Sequence, residues 1–380
     1  MNRILLIGNG FDLAHNLKTG YNSFIENLWN DIKVDFKDEF KPFGKEYPYS
    51  MADVIEIIVS CRNNRNLSSN TDWLYYNPNG CIGYPWFEEI LKSYTRISEP
   101  ENGLPTTRIR YINAFLGVIS KNYTSKNWSG IETDYYEVLK TCLNVKNVKN
   151  DENDKRVERL RVEQLHREFS YIKTALVKYL NEQMLNNPVT EFLNTTRENI
   201  YSKLKLNEIN YTPEKPLLEK TLFLSVNYTN TERLYTNDDR MVMHIHGELN
   251  NTKNPIIFGY GDVTDENYKD IEGKDVNEYL DNMKSVHYRK RVNYSNLQGF
   301  IGSDEYEVFI MGHSCGISDT DLLRPLFEDK HCLSIRVFPK NEKYGPSDYD
   351  DITKNMGRIF TDQKLMNKKL VPEALCTPLS

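Results

Sequence analysis

No window of this chain approaches the roughly 18 consecutive apolar residues that a membrane-spanning helix requires. The opening apolar run, Ile4-Leu5-Leu6-Ile7, is broken by Gly8, Asn9 and Asp12 before it reaches the length of a secretory leader. The expectation is a cytoplasmic protein with no membrane partner. Cysteine is sparse: six residues, Cys61, Cys81, Cys142, Cys315, Cys332 and Cys376, contain no Cys-x-x-Cys pair. Reduced thiols are expected and a structural zinc site is not. Positive charge is not in excess, since the net charge is −6. No global field draws the chain to nucleic acid, and a nucleic-acid partner is not expected. Internal repeats and low-complexity tracts are also missing.

What remains is the composition of a globular protein, with 39% hydrophobic and 27% charged residues and 25 tyrosines in 380. That length supports one large domain or two ordinary ones, with a sizeable core. The most informative stretch comes first, where Arg3-Ile4-Leu5-Leu6-Ile7 runs into Gly8-Asn9-Gly10-Phe11-Asp12. A short apolar run ending in Gly-x-Gly is how a buried parallel strand hands over to a turn that cradles phosphates at a helix N-terminus. The third glycine of a dinucleotide fingerprint is missing, because Ala14 and His15 stand in its place. Read alone, the turn is equally a plain strand-turn-helix corner.

Beyond it, Leu13, Leu17, Tyr21, Phe24, Ile25 and Leu28 fall near helical spacing and predict a helix or broken helix to about Ile32. Residues 35–110 read as an irregular insertion, with loop markers such as Tyr75 to Gly80. From Tyr111 to Leu206 the pattern is helical, in stripes through Ile112, Phe115, Leu116 and Ile119 and through Leu160, Leu165, Phe169, Ile172, Leu176 and Leu180. The mixed charges from Asp151 to Arg167 read as a solvated helix face. Strands are expected at Thr221–Val226, Met241–His246, Pro255–Phe258, Glu307–Met311 and Ser334–Phe338. Short apolar runs of this kind suit a mostly parallel sheet covered on both faces. The expected layout is a discontinuous α/β core at 1–34 and 221–361, a mostly helical insertion at 35–220, and a polar, loosely ordered tail at 362–380.

Ligand sites in parallel sheets lie beyond the strands' carboxyl ends. Here those ends are Gly8-Asn9-Gly10, Asn227-Tyr228-Thr229, His246-Gly247 and Gly312-His313-Ser314. Each alone is explained by a turn, a core histidine or a cap; together they set an amide, an imidazole, glycines and hydroxyls along one edge. His244 and His246 point the same way on a strand, but no third ligand follows at suitable spacing, so no metal is expected. One structural and one working histidine is the better division. Gly312-His313-Ser314-Cys315-Gly316 fits a nucleophile elbow literally, but only His331 follows Asp319, Asp321 or Asp329, which is too close for an esterase triad. His287-Tyr288-Arg289-Lys290-Arg291 interleaves charge with aromatics and reads as a solvated basic surface or, less well, a nucleic-acid contact.

Six blocks carry a resemblance: ILLIGNGFDLAHNLKTGYNSF (Ile4 to Phe24), WSGIETDYY (Trp128 to Tyr136), LSVNYTNTERLY (Leu224 to Tyr235), HIHGE (His244 to Glu248), FGYGD (Phe258 to Asp262) and MGHSCGISDTD (Met311 to Asp321). The chain resembles the phage abortive-infection AbiH family, itself distantly similar to sirtuin-like proteins. The resemblance implies a sirtuin-like, Rossmann-type core with a large helical insertion, and NAD as substrate of an NAD glycohydrolase. It puts Gly8, Asn9, Gly10 and Asp12 at the nucleotide's phosphates, Asn227 near the nicotinamide ribose and His246 as catalytic base, with Phe11 and Tyr228 also among the cofactor-binding residues. Gly312, Ser314 and Asp319 would hold the adenosine half. Glu132 belongs to the AbiH resemblance and is a candidate to close over the ribose. The sirtuin zinc ribbon is absent. A silent effector of this kind implies a phage trigger and a homo-oligomer or regulatory partner. The alternative reading is a non-enzymatic nucleotide-binding or phage-sensing module.

Overall fold

In the computed structural model, residues 1–39, 55–60, 106–111, 114–120, 127–143, 152–205, 213–214, 217–236 and 241–380 are described. In chain order the elements are β1 (Asn2–Ile7), α1 (Asn9–Ala14), α2 (Tyr21–Glu39), β2 (Ile55–Ser60), β3 (Thr106–Tyr111), α3 (Ala114–Ser120), α4 (Trp128–Leu143), α5 (Glu152–Asn186) and α6 (Asn194–Ile200). There follow β4 (Thr221–Ser225), β5 (Met241–His244), α7 (Glu266–Glu272), α8 (Lys284–Arg289), α9 (Val292–Ile301), β6 (Tyr306–Met311), α10 (Thr320–Glu328), β7 (Cys332–Phe338), α11 (Tyr349–Ile359) and α12 (Gln363–Lys369). Two compact units result, one of Met1–Phe24 with Asn127–Ser380 and one of Ile25–Lys126.

The first unit is built on a five-stranded parallel sheet in the order β5-β4-β1-β6-β7. From β1 the chain grows outward to β4 and β5, then returns to the other side for β6 and β7. The order therefore reverses between β1 and β6, which is where such sheets open a crevice. Alternation along the strands divides the core between two faces. Ile4, Leu6, Leu222, Leu224, Val308 and Ile310 pack on one face; Leu5, Ile7, Phe223, Phe309 and Met311 pack on the other with Phe11 and Tyr235. Arg3 interrupts β1 with charge yet is fully buried, because Glu307 of β6 pairs with its guanidinium at 2.6 Å and the carbonyls of Ile200 and Ser202 accept from it. In the second unit β2 and β3 pair antiparallel from Ile55 opposite Tyr111 to Ser60 opposite Thr106, and α3 buries Phe115, Leu116 and Ile119.

Of the two forms expected after the first turn, the helix takes the broken one: α1 ends near His15, Asn16 takes a left-handed φ of 63°, and α2 starts at Tyr21. Other expectations change. Pro255–Phe258 is no strand; it is held by a bond from Ile257 N to His246 O and buries Ile256, Ile257 and Phe258 without a ladder partner. On α5 the buried stripe runs through Val162 and Leu165, and Leu160 is exposed. Helices α4 to α6, within the stretch 35–220 expected as a mostly helical insertion, fall in the same compact unit as the sheet. Tyr136 of α4 stacks on Tyr260 at 4.0 Å and Phe169 of α5 on Phe258 at 4.9 Å, which binds them to loops of that unit. The end of the chain is likewise built in, since Asp362 caps α12, Val371 N bonds Ile335 O, and Leu379 is buried with its N–H on Pro339 O. Tyr75 to Gly80 lie outside the described residues. No described helix is long and apolar enough to cross a membrane.

Candidate functional site

The carboxyl ends of β1 and β6 meet through glycine. A Cβ on Gly8 would stand 2.5 Å from His313 Cα, and one on Gly312, whose φ is +77°, would stand 2.2 Å from Phe11 N. This contact uses the turn's own amides: Gly8 N donates to Met311 O at 3.1 Å, Gly10 N to Gly312 O at 2.8 Å, and Phe11 N to Gly8 O at 2.9 Å. From β4, the Asn227 amide donates to Gly8 O at 2.9 Å and Thr229 Oγ1 to Asp12 Oδ2 at 2.6 Å. The glycines thus bring three strand ends together without leaving those N–H groups open.

Above this junction lies a cavity of about 380 Å³, lined from the sheet side by Asn9, Gly10, Asp12, Asn227, His246 and Gly312. Helices complete it. Asn127 Oδ1 accepts from Gly130 N and starts α4; Trp128 Nε1 donates to Thr19 O at 2.9 Å and fixes the same end against the loop after α1. One turn on, α4 delivers Glu132, 6% exposed. Lys284, first residue of α8 and 1% exposed, places its ammonium 2.7 Å from Glu132 Oε2 and 2.7 Å from Asp319 Oδ1. Ser318 Oγ also donates to Glu132 Oε2 at 2.7 Å, and Gly259 N to Oε1 at 3.3 Å.

Asp319 is the hub. Its Oδ1 lies 3.4 Å from His246 Nε2 and its Oδ2 3.3 Å from His313 Nε2. Because the backbone N–H of Cys315 can only donate, His313 Nδ1 accepts from it at 3.0 Å, and the His313 proton sits on Nε2, facing Asp319. His246 Nε2 also shares a hydrogen bond with the Tyr288 hydroxyl at 2.8 Å. Burial, then the nearby Lys284 ammonium, hold the His246 imidazole down to about 3, so it is neutral. Burial pushes the Glu132 carboxyl up to about 7 against the pull of Lys284. Burial also works against the Asp319 charge, but Lys284, His246 and His313 hold it far below the ordinary carboxylate range. Burial opposes the Lys284 charge too, and Asp319 and Glu132 more than offset it. These groups titrate as a unit. Two carboxyls of one cavity set far apart in pKa give one fixed negative charge and one proton carrier near neutral pH.

The expected residues divide in three. Asn9, Gly10, Asp12, Glu132, Asn227, Tyr228, His246, Gly312, Ser314 and Asp319 all line the cavity. Phe11 turns away into the core, against the rings of His15 at 4.8 Å and Tyr235 at 5.5 Å, and Gly8 lies beneath the junction. The Tyr228 hydroxyl is committed to Ile257 O at 3.0 Å. Asp319, which the resemblance puts with the adenosine half, stands beside His246. His244 bonds Glu232 at 3.0 Å and Asn227 O at 3.1 Å with its two ring nitrogens, a structural role, while His246 faces the cavity. Among the described residues no three His, Cys, Asp or Glu side chains converge to hold a metal. Lys284, Ser318, Tyr288 and His313 are site residues that the sequence reading does not name as such. His313 lies in a glycine-bounded strand end, Ser318 in the Met311 to Asp321 block and Tyr288 in the His287–Arg291 run; Lys284 carries no signal.

The fold and cavity define the class, a mixed α/β protein with a charged pocket at the switch point of a parallel sheet. The chain belongs to the family described as Bacteriophage abortive infection AbiH, whose sequence model matches residues 4–339. No curated protein and no solved structure matches it.

Proposed function

We propose that this AbiH protein is an abortive-infection effector that hydrolyses the nicotinamide–ribose bond of NAD, or the equivalent bond of a related nucleotide, in the cavity above β1 and β6. The observation that carries the reading is the buried Glu132–Lys284–Asp319–His246 constellation on that cavity. The strand order, growing to either side of a central first strand, is that of doubly wound nucleotide-binding sheets. In the reaction the C1′–N bond breaks with its electron pair going to the pyridinium nitrogen, positive charge passes to the ribose, and water oxygen bonds C1′. Carboxylates are the groups that stabilise such an oxocarbenium-like state. Glu132, near 7, is suited to take the water's proton at neutral pH, while His246 is too weak a base and instead orients a hydroxyl or the water from its neutral ring.

The test is nicotinamide release from NAD, with and without phage lysate, followed by chromatography for the wild type, Glu132→Gln and His246→Ala. General-base loss lowers the rate by about two to four powers of ten in Glu132→Gln. Undiminished release in either variant removes that residue from the mechanism. The second reading, a sensor that binds without turnover, is favoured by one observation: Lys284 satisfies Glu132 and Asp319 together, as a purely structural network would. It predicts ligand-dependent stabilisation with no nicotinamide released.

A further inference from the structure

The first turn is recognisable by its glycines as a phosphate cradle, yet three of its N–H groups, at Gly8, Gly10 and Phe11, are taken by main-chain carbonyls. The space a phosphate would need beside them is filled by Gly312, whose backbone passes so close that a methyl group there would collide with Phe11 N. Charge points the same way. Among the described residues, Asp12, Glu132, Asp319, Asp348 and Asp351 line the cavity, and Lys284 is the one lining ammonium, with Asp351 also 3.6 Å from the Lys354 ammonium outside the lining. The Lys284 ammonium is spent, held at 2.7 Å by both Glu132 and Asp319. Phosphate entering this lining would lose its water and meet like charge.

The cavity nevertheless has polar capacity of the opposite kind. Asp12 is 2% exposed and lines it; one carboxylate oxygen accepts from Thr229, and the other, Oδ1, has no hydrogen-bond partner. Such an oxygen is matched by a donor, as a sugar hydroxyl is. The carboxyl is pushed up to about 6, chiefly by burial, so it holds or yields a proton near cellular pH. At about 380 Å³ the cavity is also at the small end of ligand pockets, which run to roughly 1,000 Å³.

We infer that the part of the ligand that enters this cavity is an unphosphorylated ribosyl unit bearing a neutral or cationic base, with any phosphate left outside. The inference rests on the proposed ribosyl–base cleavage for its choice of sugar. Its charge selectivity comes from the lining alone. Asp12 and Asn227 face the ribose hydroxyls, and the carboxylates favour a cationic base before cleavage and a cationic ribose during it.

The experiment uses the full chain and three probes, nicotinamide riboside, its 5′-monophosphate and NAD, by calorimetry at low ionic strength, with turnover followed in parallel. Nicotinamide riboside is expected to bind at least about tenfold tighter than the monophosphate. Asp351→Asn, at the exposed side of the lining, is expected to narrow that gap, and inorganic phosphate is expected not to compete. Affinity that rises with each added phosphate, or displacement by inorganic phosphate, overturns the inference even if nicotinamide is released normally. Preference for the riboside without release leaves the inference standing and removes the hydrolase. Failure of all three probes to bind overturns both.

Discussion

Replacing Lys284 by methionine keeps the reach of the side chain and removes the charge that separates two buried carboxylates. The ammonium is 1% exposed and 2.7 Å from an oxygen of each acid, which puts the charge centres roughly 4 Å apart. At an effective dielectric constant near 20 each attraction is about 4 kcal/mol. Desolvation of the three ions consumes much of that, and the expected net loss from deleting one partner of a buried pair is about 3–5 kcal/mol. The loss has a signature. With the cation gone, Glu132 and Asp319 repel and Glu132 binds its proton more tightly, so the deficit at pH 8 shrinks as the pH falls. Adding Glu132→Gln removes one of the stranded charges and recovers about 1–3 kcal/mol, a strong non-additivity between touching residues. Urea unfolding followed by tryptophan fluorescence and far-UV circular dichroism, with equal slopes across variants, measures all four corners of the cycle. A Lys284→Met cost below about 1 kcal/mol, or additivity with Glu132→Gln within about 0.5 kcal/mol, refutes the network.

Asp12→Asn tests the buried carboxyl whose Oδ2 accepts from Thr229 while its Oδ1 has no hydrogen-bond partner. Its pKa rises from 3.8 to about 6 on folding, so the folded state binds that proton more tightly than the unfolded chain. The stability this lends is complete below pH 4 and is lost as pH rises from 4 through 6. The asparagine variant escapes that loss and is expected to be about 1–3 kcal/mol more stable at pH 8, with no gain at pH 3.5. Urea midpoints at the two pH values decide it, and a variant less stable at pH 8 rules the reasoning out. Gly312→Ala tests the junction: a methyl carbon 2.2 Å from Phe11 N at φ +77° is expected to cost about 3 kcal/mol or more. A wild-type melting temperature in that variant would mean that the ends of β1 and β6 do not meet in this way.

Much of the sheet was legible because each strand is a short apolar run with a glycine or polar stop, and four of the five expected runs became strands. Pro255–Phe258 has the same pattern for another reason: Ile257 joins the core on one face of the sheet and Phe258 stacks on Phe169 of α5, with no described strand paired to them. Composition cannot separate those two kinds of burial. The stripe on α5 slipped at Leu160 because Val162 and Leu165 satisfy the same spacing one step round the helix. The cavity's edge was legible for a similar reason, since strand ends are marked by glycine and polar residues. Its electrostatics were not. Glu132 and Lys284 lie 152 residues apart, and a single lysine in Asn282-Met283-Lys284-Ser285 carries no pattern that distinguishes it from a surface charge. Only the crossing of α4 and α8 over the sheet edge makes it the centre of the site.

The division of labour between motif and cavity has a chemical consequence. Gly8, Gly10 and Gly312 are required by the backbone junction whatever the ligand, since any side chain there would strike main-chain atoms at 2.8 Å or less. The groups able to choose a ligand come from elsewhere: Glu132 from α4, Lys284 from α8, Asp348 and Asp351 at the start of α11, with Asp12 and His246 beside the strands. A chain that kept the glycines and replaced Asp348 and Asp351 by lysines would keep the same sheet and crevice while inverting the charge at that side of its lining. Phosphate would then be attracted where it is now repelled. Identity at the Gly-x-Gly turn therefore speaks to how the first and sixth strands pack, and the nature of the ligand has to be read from the helices that roof the cavity.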